Sequence, residues 1–427
     1  MAVRLEIDHR SASTRARVGR VHTPHGAFET PAFMPVGTKA SLKGLLPPAV
    51  RATGSEIVLS NTYHLMLRPG AELVQRRGGL HRFMGWPGPI LTDSGGYQVY
   101  SLSDIGAADD DGVVFKSVVD GSKIRMTPEL AMDVQQKLGA DIVMAFDDCP
   151  PSVDPKTSNA ARERMMASKT GAYGKDYDHG ARLDESMDRT ARWLERCKAV
   201  HWGGGFHETQ ALFGIVQGGT DLARRSRSAA QVTNIELPGY AIGGVAVGEG
   251  FEEIVSVVNH TAPLLPDDKP RYLMGVGYEK DILAAVLAGV DMFDCVLPTR
   301  NGRSANAFTR TGQIRLKNAK FAEDDGPIEE GCDCAACCPA AHGWDTVDGR
   351  PFSRAYLRHL FLADEMLGPI LVSLHNVRHF QRLMVDIRGA IREDGWLDLV
   401  GRWPVCAPAL EGVSSVPGSS PGGPASV

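Results

Sequence analysis

The chain lacks any apolar run approaching the ~18 to 20 residues that a membrane-spanning helix requires. Residues 1–19 also lack the apolar core of a secretory signal peptide, so we expect a cytoplasmic protein with no membrane partner. Basic residues are not in excess, because 46 Lys and Arg stand against 51 Asp and Glu, giving a formal net charge of −5. This balance argues against a generally basic nucleic-acid coat protein and leaves room for a local basic patch.

Cysteine is also scarce, with eight residues in a chain of 427, which argues against a disulfide framework. Four of the eight crowd into residues 332–338, and clustered cysteines in a reducing compartment more often bind metal. A phosphate-loop motif is missing as well, and so is any internal repeat beyond an alternation of strands and helices.

Eight short apolar runs, bounded by turn residues, alternate with stretches that can form helices. Because each run is almost continuously apolar, it predicts a strand buried on both faces. Eight such strands interleaved with helices predict a (β/α)8 TIM barrel. The runs are 31–36, 56–61, 89–93, 141–148, 211–217, 240–244, 271–275 and 292–297.

Other segments fall outside this alternation. Residues 112–127, with the turn Asp120-Gly121, predict a β-hairpin inserted after the third strand, and the polar residues 170–189 predict a surface excursion. Helices are expected at 354–367 and 377–392, the second with Asn376 as its N-cap. From Pro408 onward the tail is rich in Pro, Gly and Ser, a composition typical of disorder.

Polar residues or glycines interrupt the apolar runs at or just past the carboxyl ends of the predicted strands. A single polar residue at a strand end can simply cap the following helix. In a barrel, however, the carboxyl ends of all strands converge on one mouth. The set therefore predicts a shared pocket. Its members are Asn61, Asp93, Asp147, Gln217, Gly243, Gly244, Gly275 and Asp294.

Three carboxylates stand out in this set. Asp93 opens the run 93–98, whose glycines allow close backbone approach to a ligand and whose Tyr97 can stack on a flat one. Asp294 is bracketed by apolar residues, so it is either paired structurally or chemically active. Asp147 and Gln217 can read the polar edge of a planar heterocycle, or can be strand-end groups that the backbone satisfies.

The sequence Cys332-x-Cys334-x2-Cys337, followed by a later histidine, is typical of a closed tetrahedral zinc site. Four protein ligands leave no open position, so the predicted role is structural. His375 and His359 compete as the fourth ligand, Cys338 could replace either, and reduced unliganded cysteines are the alternative.

Residues 300–320 form a basic strip without any acidic residue, which indicates phosphate contact or, alternatively, a solvated charged face. The strip contains Arg300, Arg303, Arg310, Arg315, Lys317 and Lys320.

Ten segments of the chain, in their order, resemble the bacterial-type tRNA-guanine transglycosylases, which are also called queuine tRNA-ribosyltransferases. The resemblance spans most of the chain and includes the cysteine cluster. Its other segments are 29–38 (ETPAFMPVGT), 60–65 (SNTYHL), 92–98 (TDSGGYQ), 146–149 (FDDC), 214–218 (GIVQG), 242–249 (IGGVAVGE), 272–277 (YLMGVG), 291–300 (DMFDCVLPTR) and 353–357 (SRAYL).

The resemblance implies a homodimeric barrel enzyme with a zinc subdomain inserted near its carboxyl end. It implies exchange of the wobble guanine in G-U-N tRNAs (the Asp, Asn, His and Tyr acceptors) for a deazaguanine, the pre-queuosine 1 base. Asp294 would be the nucleophile and Asp93 the general acid and base. One structural Zn²⁺ per subunit would be held by Cys332, Cys334, Cys337 and His375.

The resemblance implies one set of contacts to the base and another to the tRNA nucleotide. It also implies that the bulky Val247 suits the small aminomethyl base. The base would contact Asn61, Ser94, Gly95, Gly96, Tyr97, Asp147, Gln217, Gly243, Gly244, Val245 and Met274. The flipped-out tRNA nucleotide would contact Gly275, Val276, Gly277, Thr299, Arg300, Asn301, Gly302 and Arg303.

The predicted domains are a barrel with amino-terminal strands and the hairpin (1–321), a zinc-binding subdomain (322–376), a closing helix (377–403) and a disordered tail (404–427). The chain departs from the family at Asp148, where Glu is common, at residues 304–306, and at 339–351, which resemble an insertion.

Three rival functions remain. A non-catalytic RNA-binding partner need not retain both Asp93 and Asp294, and the archaeal-type enzyme carries additional carboxyl-terminal domains. A barrel enzyme with a catalytic metal would place its ligands at the strand ends, where the cysteines are not expected.

Overall fold

The computed structural model describes residues 2–98, 105–156, 177–246 and 249–411. The strands in these residues are β1 (Arg4–Arg10), β2 (Arg17–Thr23), β3 (Gly26–Thr30), β4 (Ala32–Pro35), β5 (Val58–Ser60), β6 (Ile90–Thr92), β7 (Ile105–Asp109), β8 (Gly112–Lys116), β9 (Lys123–Met126), β10 (Ile142–Met144), β11 (Ala211–Val216), β12 (Gly239–Ile242), β13 (Arg271–Leu273), β14 (Met292–Cys295), β15 (Asn306–Thr309) and β16 (Gly312–Arg315).

Eight of these strands form one parallel sheet in the order β4, β14, β13, β12, β11, β10, β6, β5. The two edge strands meet through a parallel bridge between Val36 and Leu59, where the amide of Gly37 donates to the carbonyl of Leu59 at 2.7 Å. All eight predicted strands lie in this sheet. The barrel prediction is confirmed.

Helices follow the strands and cover the outside of the barrel. The helices are α1 (Pro47–Ala52), α2 (Thr62–Leu67), α3 (Ala71–Arg76), α4 (Gly79–Met84), α5 (Pro128–Leu138), α6 (His179–Gly203), α7 (Leu222–Thr233), α8 (Phe251–Thr261), α9 (Glu279–Leu287), α10 (Leu297–Arg303), α11 (Arg354–Leu362), α12 (Leu367–Glu393), α13 (Trp396–Arg402) and α14 (Pro408–Glu411). Within the described residues, no helix combines the length and the apolar character needed to cross a bilayer.

The core has two layers because each barrel strand buries both of its faces. Side chains such as Met34, Leu91 and Phe213 fill the barrel, together with Val21 and Phe28 from the antiparallel sheet β1–β3. That sheet therefore packs against the amino-terminal end of the barrel. The opposite end, where the strands finish, is left for the cavity described below.

The predicted hairpin is present as β8 and β9, and β7 pairs with β8 to make a three-stranded sheet. The predicted surface excursion at 170–189 is wrong for its second half. Helix α6 begins at His179, and Arg189 is buried with its guanidinium 2.5 Å from the Asp148 carboxylate. Residues 170–176 lie outside the described part of the chain.

Near the carboxyl end, α11 ends at Leu362 and not at the predicted residue 367. The next helix, α12, begins at Leu367 and not at Val377, because Pro369 falls in its first turn, where proline is tolerated. Asn376 is consequently not an N-cap but lies inside the helix. Its side chain donates to the carbonyls of Pro298 and Asn306 at 2.9 and 3.0 Å. The predicted domain boundary at 376/377 therefore cuts a continuous helix.

Helix α12 also binds the first barrel strand. Gln381 Nε2 donates to the Phe33 carbonyl at 3.0 Å, and Arg388 Nη1 donates to the Pro31 carbonyl at 2.9 Å. The predicted disordered tail is wrong for residues 404–411. A 3₁₀ turn at Pro404–Cys406 and the helix α14 lie here, and Cys406 is buried in the core. Residues 412–427 lie outside the described residues.

Candidate active site

A cavity of about 780 Å³ opens at the carboxyl ends of the barrel strands. Most predicted pocket residues line it, and Gln217 lies behind Asp147, buried from solvent. The predicted residues that line the cavity are Asn61, Asp93, Ser94, Tyr97, Asp147, Gly243, Gly244, Val245, Met274, Gly275, Val276, Gly277, Asp294 and Arg300.

Asp294 lies on β14 and presents one oxygen to the protein. Its Oδ1 accepts hydrogen bonds from Tyr272 Oη at 2.5 Å and from the Gly275 amide at 2.8 Å. For Oδ2, the described residues provide no hydrogen-bond donor. Burial raises the pKa of Asp294, and both donors oppose that shift. The geometry therefore leaves one carboxylate oxygen available on the cavity side.

Asp93 follows β6 and is held by the residues that follow β5. Asn61 Nδ2 donates to its Oδ2, and the Thr62 amide donates to its Oδ1 at 2.8 Å. Burial raises the pKa of Asp93 to about 6, and the nearby charge of Asp294 adds to that increase. A carboxyl with such a pKa can both hold and release a proton near neutrality.

Asp147 follows β10 and is linked to two other predicted residues. Its Oδ1 accepts from Ser94 Oγ at 2.9 Å, and its Oδ2 accepts from Gln217 Nε2 at 2.7 Å. Burial raises the pKa of Asp147 to about 6. A Cβ at Gly96 would lie 2.6 Å from the Asp147 carbonyl oxygen, so only glycine fits at this close approach.

The neighbouring Asp148 points away from the cavity. Its fully buried carboxylate binds Arg182 and Arg189, each at 2.5 Å, and its charge contributes to the raised pKa of Asp147. These contacts tie the base of the cavity to helix α6. Asp148 stands where the resembled family commonly has glutamate. The shorter side chain forms ion pairs with two arginines.

Two side chains at the cavity edge are suited to a planar ligand. Tyr97 is 43% exposed and Met274 is partly buried, and both line the cavity. Val245 is buried in the cavity wall. Val247, on which the choice of base depends, lies outside the described residues.

Helix α10 divides the predicted tRNA contacts between two faces. Arg300 is exposed and lines the cavity, and Arg303 is partly exposed. Thr299 is buried, and a Cβ at Gly302 would lie 2.8 Å from the Ser373 backbone of α12. Thr299 and Gly302 therefore lie on the buried face of α10, and their contact with tRNA stays a prediction.

The remainder of the basic strip follows α10 through β15 and β16. Arg315, Lys317 and Lys320 are exposed, whereas the Arg310 guanidinium lies 5.2 Å from the centre of the Trp403 ring. Arg310 therefore packs on the protein, and the other three remain available to solvent.

Three functional contacts were missed by the sequence analysis. Tyr272 is an interior strand residue that sequence cannot separate from a core aromatic, yet it binds Asp294. Thr62 orients Asp93 through its backbone amide. The third, Arg225, is a helical arginine that is fully buried beside the strand ends.

The cysteine cluster lies apart from the cavity, which contradicts the catalytic-metal rival. Sγ atoms of Cys332, Cys334 and Cys337 lie 3.6, 3.4 and 3.5 Å from Nδ1 of His375. A tetrahedral zinc ion with bonds of about 2.3 Å to sulfur and about 2.0 Å to nitrogen separates these ligands by roughly 3.5 Å. The cluster can therefore hold a metal ion with the geometry of zinc.

The surroundings of the cluster fix the imidazole. His375 Nε2 lies 2.8 Å from the Phe308 carbonyl, so the proton belongs on Nε2 and Nδ1 is free to bind metal. His359 and Cys338 are exposed and stand outside the group. The structure thus selects His375 among the three candidates.

Comparison with known proteins identifies the family of this chain. The model of the family described as queuine tRNA-ribosyltransferase matches residues 11–173 and 173–404. A protein of that name from Thermus thermophilus is 50% identical over 395 residues, covering 92% of each chain. Another from Symbiobacterium thermophilum is 50% identical over 391 residues, covering 92% of this chain and 88% of its own. One from Desulforamulus reducens is 47% identical over 398 residues, covering 93% and 97%.

These matches span nearly the whole described chain, including the strand ends that form the cavity and the cysteine cluster. The chain therefore belongs to the queuine tRNA-ribosyltransferase family.

Proposed function

We propose that this protein is a tRNA-guanine transglycosylase that replaces the wobble guanine of G-U-N tRNAs with the pre-queuosine 1 base. The observation that carries the proposal is the pair of buried carboxylates on one cavity. Asp294 keeps Oδ2 free of donors within the described residues, and Asp93 has a pKa near 6. Membership of the family supports the same reaction class.

In the first step, Asp294 Oδ2 attacks C1′ of the wobble nucleotide, and the bond from C1′ to N9 breaks. The electron pair leaves with guanine, and Asp93 delivers a proton to the departing base. In the second step, Asp93 removes a proton from the incoming base, whose N9 displaces Asp294 from C1′. One glycosidic bond is broken and one is formed, so no energy-rich cosubstrate is required.

The base is held by the polar side of the cavity. Asp147 is already oriented by Ser94 and Gln217, so its carboxylate can accept from the N–H groups of guanine without rearrangement. Tyr97 and Met274 can enclose the ring from its two faces. Reaching C1′ requires the nucleotide to leave the anticodon stack, and Arg300 at the cavity is suited to its phosphate.

We assign a structural Zn²⁺ to the cysteine cluster. Cys332, Cys334, Cys337 and His375 would hold the ion, and no open position would remain for a substrate. When bound, the ion links the segment that carries the cysteines to helix α12. None of the four ligands lines the cavity.

We also propose that the enzyme is a homodimer. Exposed large apolar side chains concentrate between residues 344 and 367, as a surface that a second copy could cover. They are Trp344, Val347, Tyr356, Leu362, Met366 and Leu367. Met366→Lys should shift the sedimenting species to a monomer, whereas Leu397→Lys, equally exposed at 80%, should not. Two unchanged dimers would place the interface elsewhere.

The decisive experiment is to trap the covalent intermediate with unmodified G-U-N tRNA on a denaturing gel. The wild type should form a tRNA adduct and Asp294→Asn should not. Asp281→Asn is the matched control, because Asp281 is a buried carboxylate that lines the same cavity. Tight tRNA binding by the wild type without an adduct or guanine exchange would support the non-catalytic partner instead.

A further inference from the structure

Arg225 on α7 is fully buried behind the cavity wall, and its hydrogen bonds go to backbone carbonyls. Nε donates to Gly219 at 2.7 Å, and Nη1 donates to Val216 at 3.1 Å and to Gly243 at 2.7 Å. Nη2 donates to Gly244 at 3.0 Å. Burial lowers its pKa to about 10, so the side chain remains a cation at neutral pH.

These bonds determine where the adjacent amides point. In a trans peptide the C=O and N–H groups face opposite sides, so carbonyls turned towards Arg225 turn the Gly244 and Val245 amides away from it. Gly243, Gly244 and Val245 line the cavity and Arg225 does not, so the amides face the cavity. Within the described residues, neither amide has an acceptor.

The turn itself depends on glycine. Gly244 has a φ of +62°, and a Cβ there would lie 2.4 Å from Gln217 Oε1. Successive amides at such a turn form a concave donor pair, suited to an oxygen with partial negative charge. Both amides face the cavity without an acceptor in the described residues, so they are available to an atom of a bound ligand.

We infer that Arg225 is a positioning residue that presents the Gly244 and Val245 amides to a carbonyl oxygen of the bound base. It thereby selects 6-oxopurines over purines with hydrogen or an amino group at that position. The inference rests on the proposed function, in which guanine occupies this cavity. A base with an amino group would bring a donor against two donors, and one with hydrogen would leave both unpaired.

The test is calorimetric titration of the intact protein with guanine and with 2-aminopurine, which lacks the carbonyl. Arg225→Met should weaken guanine binding by about 10- to 100-fold and 2-aminopurine binding by less than about threefold. Arg225→Lys, which retains the charge, should fall between the wild type and Arg225→Met. The control is Arg271→Met, which removes another buried arginine at the amino-terminal end of β13 and should change neither affinity.

Equal weakening of both bases, or of neither, would overturn the inference. If Arg225→Met does not fold, Arg225→Lys decides, because an unchanged preference for guanine in that variant would also overturn it. Failure of the proposed function is read separately, as absence of guanine exchange into tRNA by the wild type. An active wild type whose guanine preference does not depend on Arg225 would refute only the role assigned to Arg225.

Discussion

Replacing Tyr272 with phenylalanine should change how Asp294 responds to pH. The tyrosine hydroxyl donates one of the two hydrogen bonds to Oδ1, at 2.5 Å, and the substitution leaves the ring in place. A hydrogen bond to a charged group contributes about 1.5–3 kcal/mol. Since 1.36 kcal/mol corresponds to one pKa unit, its loss should raise the pKa of Asp294 by roughly 1–2 units.

The sign follows from the chemistry of the attack. The donated hydrogen bond stabilises the ionised carboxylate, which is the attacking form, so its loss favours the protonated form. The acid limb of adduct formation, measured in single turnover from pH 5 to 9, should therefore move to higher pH by about 1–2 units. Because Asp93 must keep its proton for the same step, the alkaline limb should stay in place and the maximum rate should fall. A uniform decrease in rate with an unmoved acid limb would refute this reasoning and reduce Tyr272 to a packing role.

Three further outcomes are expected. Because burial raises the pKa of Asp147 to about 6, its ionisation lowers the free energy of unfolding above that pH, and this loss disappears as the pH falls towards 4. In urea denaturation, Asp147→Asn should therefore raise the free energy of unfolding by up to about 3 kcal/mol at pH 8 and by little at pH 4. An equal increase at both pH values would contradict this reasoning. Cys337→Ser should remove bound zinc and lower the melting temperature by roughly 5–10 °C, whereas the exposed Cys338→Ser should do neither. Arg300→Ala should weaken tRNA binding by about 3- to 10-fold at low salt and flatten its salt dependence, more than Arg315→Ala does in the same filter-binding series.

The barrel could be predicted from sequence because every strand is short, apolar on both faces and followed by a polar residue. The same regularity placed Asp93, Asp147 and Asp294 at one mouth, since the carboxyl ends of barrel strands converge. Local spacing also identified the three clustered cysteines. The fourth member of this cluster, His375, depended on how a distant helix packs.

Other features could not be predicted because they depend on packing that no local pattern records. Arg225 reads as a solvent-facing helical residue, and only the fold surrounds it with carbonyls. The resemblance grouped Thr299 and Gly302 with Arg300 as tRNA contacts, whereas the helix places them on a different face from Arg300. The predicted start of α12 is too late, because Pro369 falls in the first turn of the helix, where a proline is tolerated.

The contacts between α12 and the first barrel strand have a consequence for biosynthesis. The carbonyls of Pro31 and Phe33 find their donors in Arg388 and Gln381, which leave the ribosome several hundred residues later. Until then the first barrel strand, β4, lacks its covering helix, and apolar surface stays exposed on the nascent chain. A transcript truncated before α12 should therefore yield a product that aggregates or is degraded, and not a smaller working barrel.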